Sequence, residues 1–434
     1  MRTSWAVAIL FVCACSSPTT GSGSSAIDAG TKVDTSLTAG DAKDTVGVQT
    51  LDAVLDTTDD DAAATDTPDV PDVQSLDIPG FFDDTTVVCG TTGQIIGVAC
   101  APKAGISVAF ASVSLQVDSP CLTSGTSYQA TTTADAKGAY SFNGVPPGTG
   151  TVTVVKGSFQ TAIPVNVVGG QKVDLTLPSS DRCFKSSAVN IAVVKGNADQ
   201  IETLLDGLGF THTDFATSSS ATSAGAKFLG DLTAMNGYDV IFIDCGSNID
   251  NMMAGAAKAT ITSNIQAFVN AGHSLYASDW AWQIVQAAFP AAVDYFGVDA
   301  SLTKSASKST TAGPRQGPGP TTTQKKAGAP PFTMNGDIVD ANLAAAVGKA
   351  STTIYEDLSE WVVMAAANTG TTVEVQAAVN DGKGNDWGVV PLVVRFGAGK
   401  GHVVYTSFHN IAVKDAGGPV ADIQAILTYL VFTL

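Results

Sequence analysis

The sequence predicts a multidomain chain in which an all-β sandwich is followed by a doubly wound α/β sheet, both carried after a disordered acidic tether. Three observations lead there. Residues 16–87 hold fifteen Asp against only Lys32 and Lys43, with hardly any aromatics. Residues 91–177 alternate apolar and polar positions between Gly, Pro and Asp turns. Beyond Cys183, strand-length apolar runs alternate with stretches whose apolar residues recur every three or four positions. With 434 residues, 44% of them hydrophobic and 14% charged, the chain has material for more than one core.

The N-terminus reads Met1-Arg2-Thr3, then an apolar run from Trp5 to Val12, then small residues and cysteine. A charged start and a short apolar core describe an export signal over residues 1–14, because a spanning helix needs about 20 apolar residues. Val12-Cys13-Ala14-Cys15 resembles the bacterial lipobox. That resemblance implies that Cys15 becomes the acylated first residue of a lipoprotein whose partner is a membrane. At about 0.8 kcal/mol per buried methylene, two or more acyl chains hold a protein on a bilayer stably. Ser16, where Asp would signal retention, resembles lipoproteins sorted to the outer membrane of a Gram-negative bacterium. The alternative is an ordinary cleaved signal with incidental cysteines.

Residues 15–87 are too poor in large apolar side chains to offset chain entropy, which predicts a disordered Asp-rich tether of about 50 Å by random-coil scaling. The Asp residues lack the spacing and glycine turn of an ordered calcium loop. Most of the net charge of −18 lies in this segment, and no basic stripe interleaved with aromatics occurs. Nucleic acid is therefore excluded as a partner.

After Cys13 and Cys15, five cysteines remain, at 89, 100, 121, 183 and 245, and they suit an oxidising compartment. Cys100 and Cys121 fall inside one β-rich segment that Cys89 and Cys183 bracket. The expected disulfides are accordingly Cys100–Cys121 and Cys89–Cys183, leaving Cys245 as an odd thiol, although spacing alone does not prove connectivity. Neither C-x-x-C nor H-x-x-x-H occurs, so no metal site is expected, and no cofactor motif is present.

Period-two segments at 94–99, 108–115, 139–142, 151–155 and 173–177 predict the sandwich, within residues 88–183. The run from Thr131 to Gly148 contains Asp135-Ala136-Lys137-Gly138 and, after Ala139-Tyr140-Ser141-Phe142, the turn Pro146-Pro147-Gly148. It resembles the carboxypeptidase regulatory-like, transthyretin-type module. The resemblance implies two strands joined by turns at those two motifs, and a spacer or binding fold without a catalytic constellation.

For residues 187–434 the expected fold is a flavodoxin-like sheet, mostly parallel, with helices on both faces. Strands are expected at 189–194, 238–244, 273–278, 361–365, 372–379, 389–396 and 402–407. Helices are expected at 198–209, 261–271, from Trp280 and from about Val420. An insertion at 299–337, rich in Ser, Thr, Gly and Pro and carrying unopposed Lys and Arg, is expected to be flexible; a solvated loop and a lid are its two readings.

Ligands of open α/β sheets bind just past the carboxyl ends of the strands. The residues there are Lys195-Gly196-Asn197, Asp244-Cys245-Gly246-Ser247, Ser278-Asp279-Trp280 and Phe408-His409-Asn410. Leu275 to Gln283 resembles the class I glutamine amidotransferase elbow, Cys-x-Gly-x-Gln, with Asp279 in the cysteine's position, Ala281 in the glycine's and Gln283 matching. Phe408-His409-Asn410-Ile411 resembles that family's Phe-His-Pro-Glu, with Ile411 where the acid belongs. Cys245-Gly246 falls near the family's oxyanion glycine loop. An amidotransferase needs a thiolate, a histidine and an orienting carboxylate, so the two replacements predict loss of glutamine hydrolysis, a pseudoenzyme.

Several readings of these residues remain open at the level of sequence. Asp279 and His409 are the catalytic candidates, as an acid/base pair, against the reading in which Asp279 caps the Trp280 helix and His409 is merely hydrogen-bonded. Cys245 is a nucleophile or a buried thiol. Trp280 and Trp282 cannot both face the core, so one is available for an aromatic surface. The leading expectation is a non-catalytic surface lipoprotein that binds an extracellular glycan or protein around Cys245, Gly246, Asp279, Trp280, His409 and Asn410. The alternatives are an extracellular hydrolase using Asp279 and His409, and a structural display protein.

Overall fold

A computed structural model describes residues 89–103, 105–124, 126–218, 220, 222–253, 257–296, 326–327, 332–356, 361–380, 386–408, 410 and 420–434. The signal segment 1–14, Cys15 and the whole of the tether 15–87 lie outside these residues. So do most of the insertion, His409 and Ile411.

The first domain is a sandwich of two sheets. One sheet has the order β4-β1-β7, from Ala139–Val145, Gly93–Val98 and Lys172–Leu175. The other has the order β3-β2-β5-β6, from Tyr128–Thr133, Ser112–Asp118, Gly148–Lys156 and Phe159–Val167. Period-two alternation puts Val113, Leu115 and Val117 of β2 and Phe159, Ile163 and Val165 of β6 between the sheets. The Asp-x-x-Gly turn forms as its residues dictate: the Asp135 carboxylate accepts from the N–H groups of Lys137 and Ala139, each at 2.8 Å. Gly138 sits at φ +77°, and a Cβ there would lie 2.7 Å from the Ala99 carbonyl oxygen.

Two disulfides form in this domain, with partners exchanged relative to the sequence expectation. Cys89 pairs with Cys121 and Cys100 with Cys183, not Cys100 with Cys121 and Cys89 with Cys183. The cause is topological. Strand β1 runs parallel to β7, so Cys100, just past β1, and Cys183, beyond β7, emerge at one end of the sandwich. There the Phe184 N–H donates to the Cys100 carbonyl at 2.9 Å. Cys89 precedes β1 at the other end, where Gly93 faces Val145. The Ser119 hydroxyl donates to the Pro147 carbonyl at that same end, which brings Cys121 to Cys89.

The second domain contains a nine-stranded mixed sheet, so the expected mostly parallel sheet is corrected. Its parallel half has the order β9-β8-β10-β11-β20, from His212–Ala216, Ile191–Lys195, Val240–Ile243, Ser274–Ser278 and Gly401–Thr406. Counted among themselves in chain order, these strands run 2-1-3-4-5, the flavodoxin-like order. The other half continues antiparallel through β19 (Asp386–Ala398), β18 (Thr371–Asn380), β14 (Phe332–Ile338) and β15 (Ser351–Glu356). Because β14 begins at Phe332, the last residues assigned to the 299–337 insertion belong to the sheet. Short pairs outside the sheet join β12 (Val293–Tyr295) to β17 (Met364–Ala367) and β13 (Lys326–Ala327) to β16 (Trp361–Val362).

Helices cover both faces of the parallel half. On one face α1 (Ile201–Leu208) and α8 (Val420–Val431) pack Leu204, Leu205, Ile426 and Leu430 against Ile191, Val193, Val240 and Phe242. On the other, α2 (Ala224–Leu229), α5 (Ala257–Ala271) and α6 (Trp282–Ala288) pack Phe228, Ile265, Phe268 and Ile284 against Val194, Ile241, Leu275 and Ala277. Smaller helices α3 (Leu232–Met235), α4 (Ser247–Met252) and α7 (Ala341–Val347) complete the set used below.

The apolar core of the sandwich runs without a break into the core of the α1/α8 face. Phe159 of the sandwich lies 4.8 Å from Phe210 and 5.1 Å from Phe432, between ring centroids, and Phe184 lies 5.9 Å from Phe432. Backbone bonds reinforce the junction: Lys103 N–H donates to the Leu208 carbonyl at 2.9 Å and Ser158 N–H to that of Leu434 at 2.5 Å. None of the described helices is long and apolar enough to cross a membrane.

Candidate functional site

The carboxyl ends of β8, β10, β11 and β20 converge, as an open parallel sheet requires at its switch point. The loops after β8 and β10 touch backbone to backbone. A Cβ on Gly196 would come within 1.9 Å of the Cys245 carbonyl oxygen, so the close approach demands glycine there. Beside them, β11 turns into α6 through the short helix Asp279–Ala281.

Asp279 sits at the apex of that turn with φ +35°, one of two non-glycine residues with positive φ among those described. Such a conformation costs an L-residue on the order of 1–3 kcal/mol, so the surroundings must hold it. They do so by hydrogen bonding. The Tyr405 hydroxyl donates to the Asp279 carbonyl at 2.9 Å. The Val362 N–H donates to Oδ1 at 2.7 Å, tying β16 to the elbow. The Cys245 thiol donates to Oδ2 at 3.3 Å.

Asp279 is 0% exposed, and Cys245 is equally buried. Burial, and after it the negative charge of Asp279, push the Cys245 thiol well above its ordinary range. A protonated, sealed thiol is the opposite of an activated nucleophile.

A polar network extends from the elbow into the sheet. The Ser278 hydroxyl accepts from the Cys245 N–H at 2.8 Å and donates to Asp199 Oδ2 at 2.5 Å. Asp199 Oδ1 accepts from the N–H groups of Gln200 and Asn410, at 2.7 and 2.9 Å. The Asn410 amide donates to the Gln200 carbonyl at 2.9 Å and to the Thr203 hydroxyl at 3.1 Å, which fastens the end of β20 to α1. Lys195 pairs with Glu202 at 2.7 Å and Asp214 at 3.2 Å, and His212 bridges Asp214 and Asp206 at the sheet edge.

Asp244 lies fully buried beside this network, and neither of its carboxyl oxygens has a partner in hydrogen-bonding geometry; Gly196 N–H and the Glu202 carboxyl are its polar neighbours. Burial raises its pKa well above the carboxylate range, and the charges of Asp199 and then Glu202 push the same way. A carboxyl raised in the folded state favours folding below its unfolded-chain pKa, and that contribution is lost as the pH rises through the raised value. Asp244→Asn has no such pH-dependent loss. It should match the native chain near pH 4 and exceed it at pH 7, by about 1–3 kcal/mol on the scale of one unsatisfied buried polar group. Denaturant unfolding across that range checks it; an equal gap at both ends, or a less stable variant at pH 7, contradicts the assignment.

Of the residues singled out from sequence, the structure joins Cys245, Asp279 and Asn410 in one hydrogen-bonded network and buries all three. Gly246 is buried against Asn197. Trp282 packs inward on Tyr295, at 5.3 Å between centroids, and Trp280 is half-buried, so Trp280 is the aromatic left at the surface. His409 lies outside the described residues. Sequence reasoning missed Asp199 and Glu202. The signal for Asp199 was an acid between the first strand of the parallel half and the first apolar residue of the helix that follows it, and Glu202 is the acid in the first turn of that helix.

Among curated proteins, none matches the chain. Solved structures similar to it include a ThuA-like protein of Bacteroides uniformis, at 11% identity and TM-score 0.34, covering 56% of this chain and 91% of that one. A ThuA-like protein of Parabacteroides merdae is 11% identical with TM-score 0.35, covering 55% and 86%. PurLQS from Thermotoga maritima is 11% identical with TM-score 0.34, covering 56% and 99%. Likenesses of this strength say nothing of activity. In sequence, residues 94–178 match the family model of the carboxypeptidase regulatory-like domain, which agrees with the sandwich and its two turn motifs.

Proposed function

We propose that this chain is a non-catalytic binding protein that works outside the cytoplasm. In this reading Cys15 is its lipid anchor in an outer membrane, residues 15–87 its tether and the sandwich its spacer. The α/β domain, with Trp280 at its surface, is the element that meets a glycan or protein. One observation carries the non-catalytic part: the acid at the elbow is fully buried, and its two carboxylate oxygens are taken by Val362 N–H and the Cys245 thiol. A general acid or base must come within hydrogen-bond reach of the atom it serves, and a nucleophile must touch it. Asp279 instead holds β16 and a strained turn in place. For the compartment, the two disulfides are of the kind that persists in oxidising surroundings, and the lipobox resemblance supports the anchor.

The test uses the full-length protein extracted from membranes, beside Asp279→Asn. Mass spectrometry should find an acylated chain starting at Cys15. Both proteins should bind the same members of a glycan and protein array, and neither should release product from glycosides, esters or glutamine. An unmodified terminus removes the anchor. Turnover that disappears in Asp279→Asn overturns the non-catalytic reading, and a blank array overturns the binding reading.

A further inference from the structure

At the end of the sheet opposite the elbow, the β5–β6 hairpin meets the starts of β11 and β20, the C-terminal part of β19 and the end of α8 around a groove of about 570 Å³. Four basic side chains line it, Lys156, Arg395, Lys400 and His402, and no acidic side chain does. That composition runs against a chain with 40 Asp and Glu to 22 Lys and Arg. The nearby acids are already engaged. Glu374 is fully buried beneath the groove and pairs with Arg395 at 2.5 Å, while Asp340 caps α7 by accepting from the Leu343 N–H at 2.7 Å.

Lys156 and Lys400 form no ion pair among the described residues. The Lys156 ammonium donates to the Phe110 carbonyl at 3.4 Å and lies 5.3 Å from the centre of the Tyr429 ring. It is half-buried next to a second cation: burial, and then the Arg395 charge, hold its pKa below the ordinary lysine value. The helix ends at Ala271 of α5 and Val431 of α8 face the groove with about half a negative charge each, which offsets about one lysine and leaves the other.

We propose that this groove binds an acidic saccharide, with Lys156, Lys400 and Arg395 receiving its carboxylate, sulfate or phosphate group. The site is separate from the elbow and goes beyond the binding role given above. The volume suits a ligand of one or two sugar units. Ser158, Asn342 and Thr433 supply hydroxyl and amide groups along the walls for sugar hydroxyls.

The test is calorimetric titration of the full-length protein with five probes: a galacturonate tetrasaccharide, a heparin tetrasaccharide, a neutral maltotetraose, inorganic phosphate and a short polyglutamate. At least one acidic tetrasaccharide should bind, more weakly as salt is added. Lys156→Gln and Lys400→Gln should each weaken it about tenfold, the loss of one charge-assisted contact. Lys156→Arg should retain binding, and Lys137→Gln, exposed on the sandwich away from the groove, should leave it unchanged. Thermal melts of the variants show that each is folded, and the arginine variant answers for any that is not. Phosphate binding as tightly as the saccharides, polyglutamate binding in their place, or equal binding of maltotetraose each overturns the proposal. So does an acidic saccharide whose affinity ignores Lys156 and Lys400.

Discussion

Replacing Phe432 with alanine is expected to destabilise the folded chain by about 3–5 kcal/mol, the usual cost of removing a buried aromatic side chain. Phe432 is 2% exposed and touches Phe159, Phe184 and Phe210, so the vacated volume opens where the sandwich and the α/β domain share one core. Against a typical domain stability of about 5–15 kcal/mol the loss is large. Its signature is that both domains lose stability together. The tryptophans at 280, 282, 361 and 387 all lie in the α/β domain and none in the sandwich, so denaturant unfolding by fluorescence reports on one side only. Hydrogen exchange of β2 and β5 reports on the other. Both should shift by the same amount, and Phe432→Leu should cost less than half as much because it leaves a smaller void. Sandwich amides that keep their native protection while the fluorescence midpoint falls would mean that the junction does not couple the two domains.

The same junction shows what the sequence could not convey. Phe159 reads as one inward position of an alternating strand, and nothing local tells that its ring meets a helix end 273 positions later. Strand β6, which it begins, was missed because Pro164 interrupts the run; it is tolerated because β6 is an edge strand, where one absent N–H costs nothing. The parallel strands β8, β10 and β11 were legible because strands covered on both faces need continuous apolar runs. The antiparallel half was less so: β14, Phe-Thr-Met-Asn-Gly-Asp-Ile, has the composition of the loop before it and becomes a strand by pairing with β15 and β18. At the elbow, the strand, turn and helix could be read from Leu275 to Gln283. The role of Asp279 could not, because the N–H that takes its Oδ1 belongs to Val362, 83 positions away. Burial of a polar group is a property of the finished packing, and residue type carries little of it.

Removing the Cys100–Cys183 disulfide is expected to cost about 4–5 kcal/mol, and removing Cys89–Cys121 about 3–4 kcal/mol, from the loop entropy each restores to the unfolded chain. The difference follows from the sequence separations of 83 and 32. Packing widens it. Cys100 and Cys183 are both buried, and the Phe184 N–H that donates to the Cys100 carbonyl belongs to a ring of the aromatic junction. Loss of the longer bridge therefore slackens the contact between domains, whereas loss of the shorter one frees the lead-in to β1 and the 119–127 loop. The comparison is made on paired alanine variants, Cys100→Ala with Cys183→Ala and Cys89→Ala with Cys121→Ala, so that no stranded thiol can mispair. Both pairs should still fold, the first melting on the order of 10 °C below the native chain. Non-reducing peptide mapping of the native protein must join Cys100 to Cys183. A peptide linking Cys100 to Cys121, or a greater loss of stability from the shorter bridge, would mean that β1 and β7 do not lie side by side, and the sandwich topology would have to be redrawn.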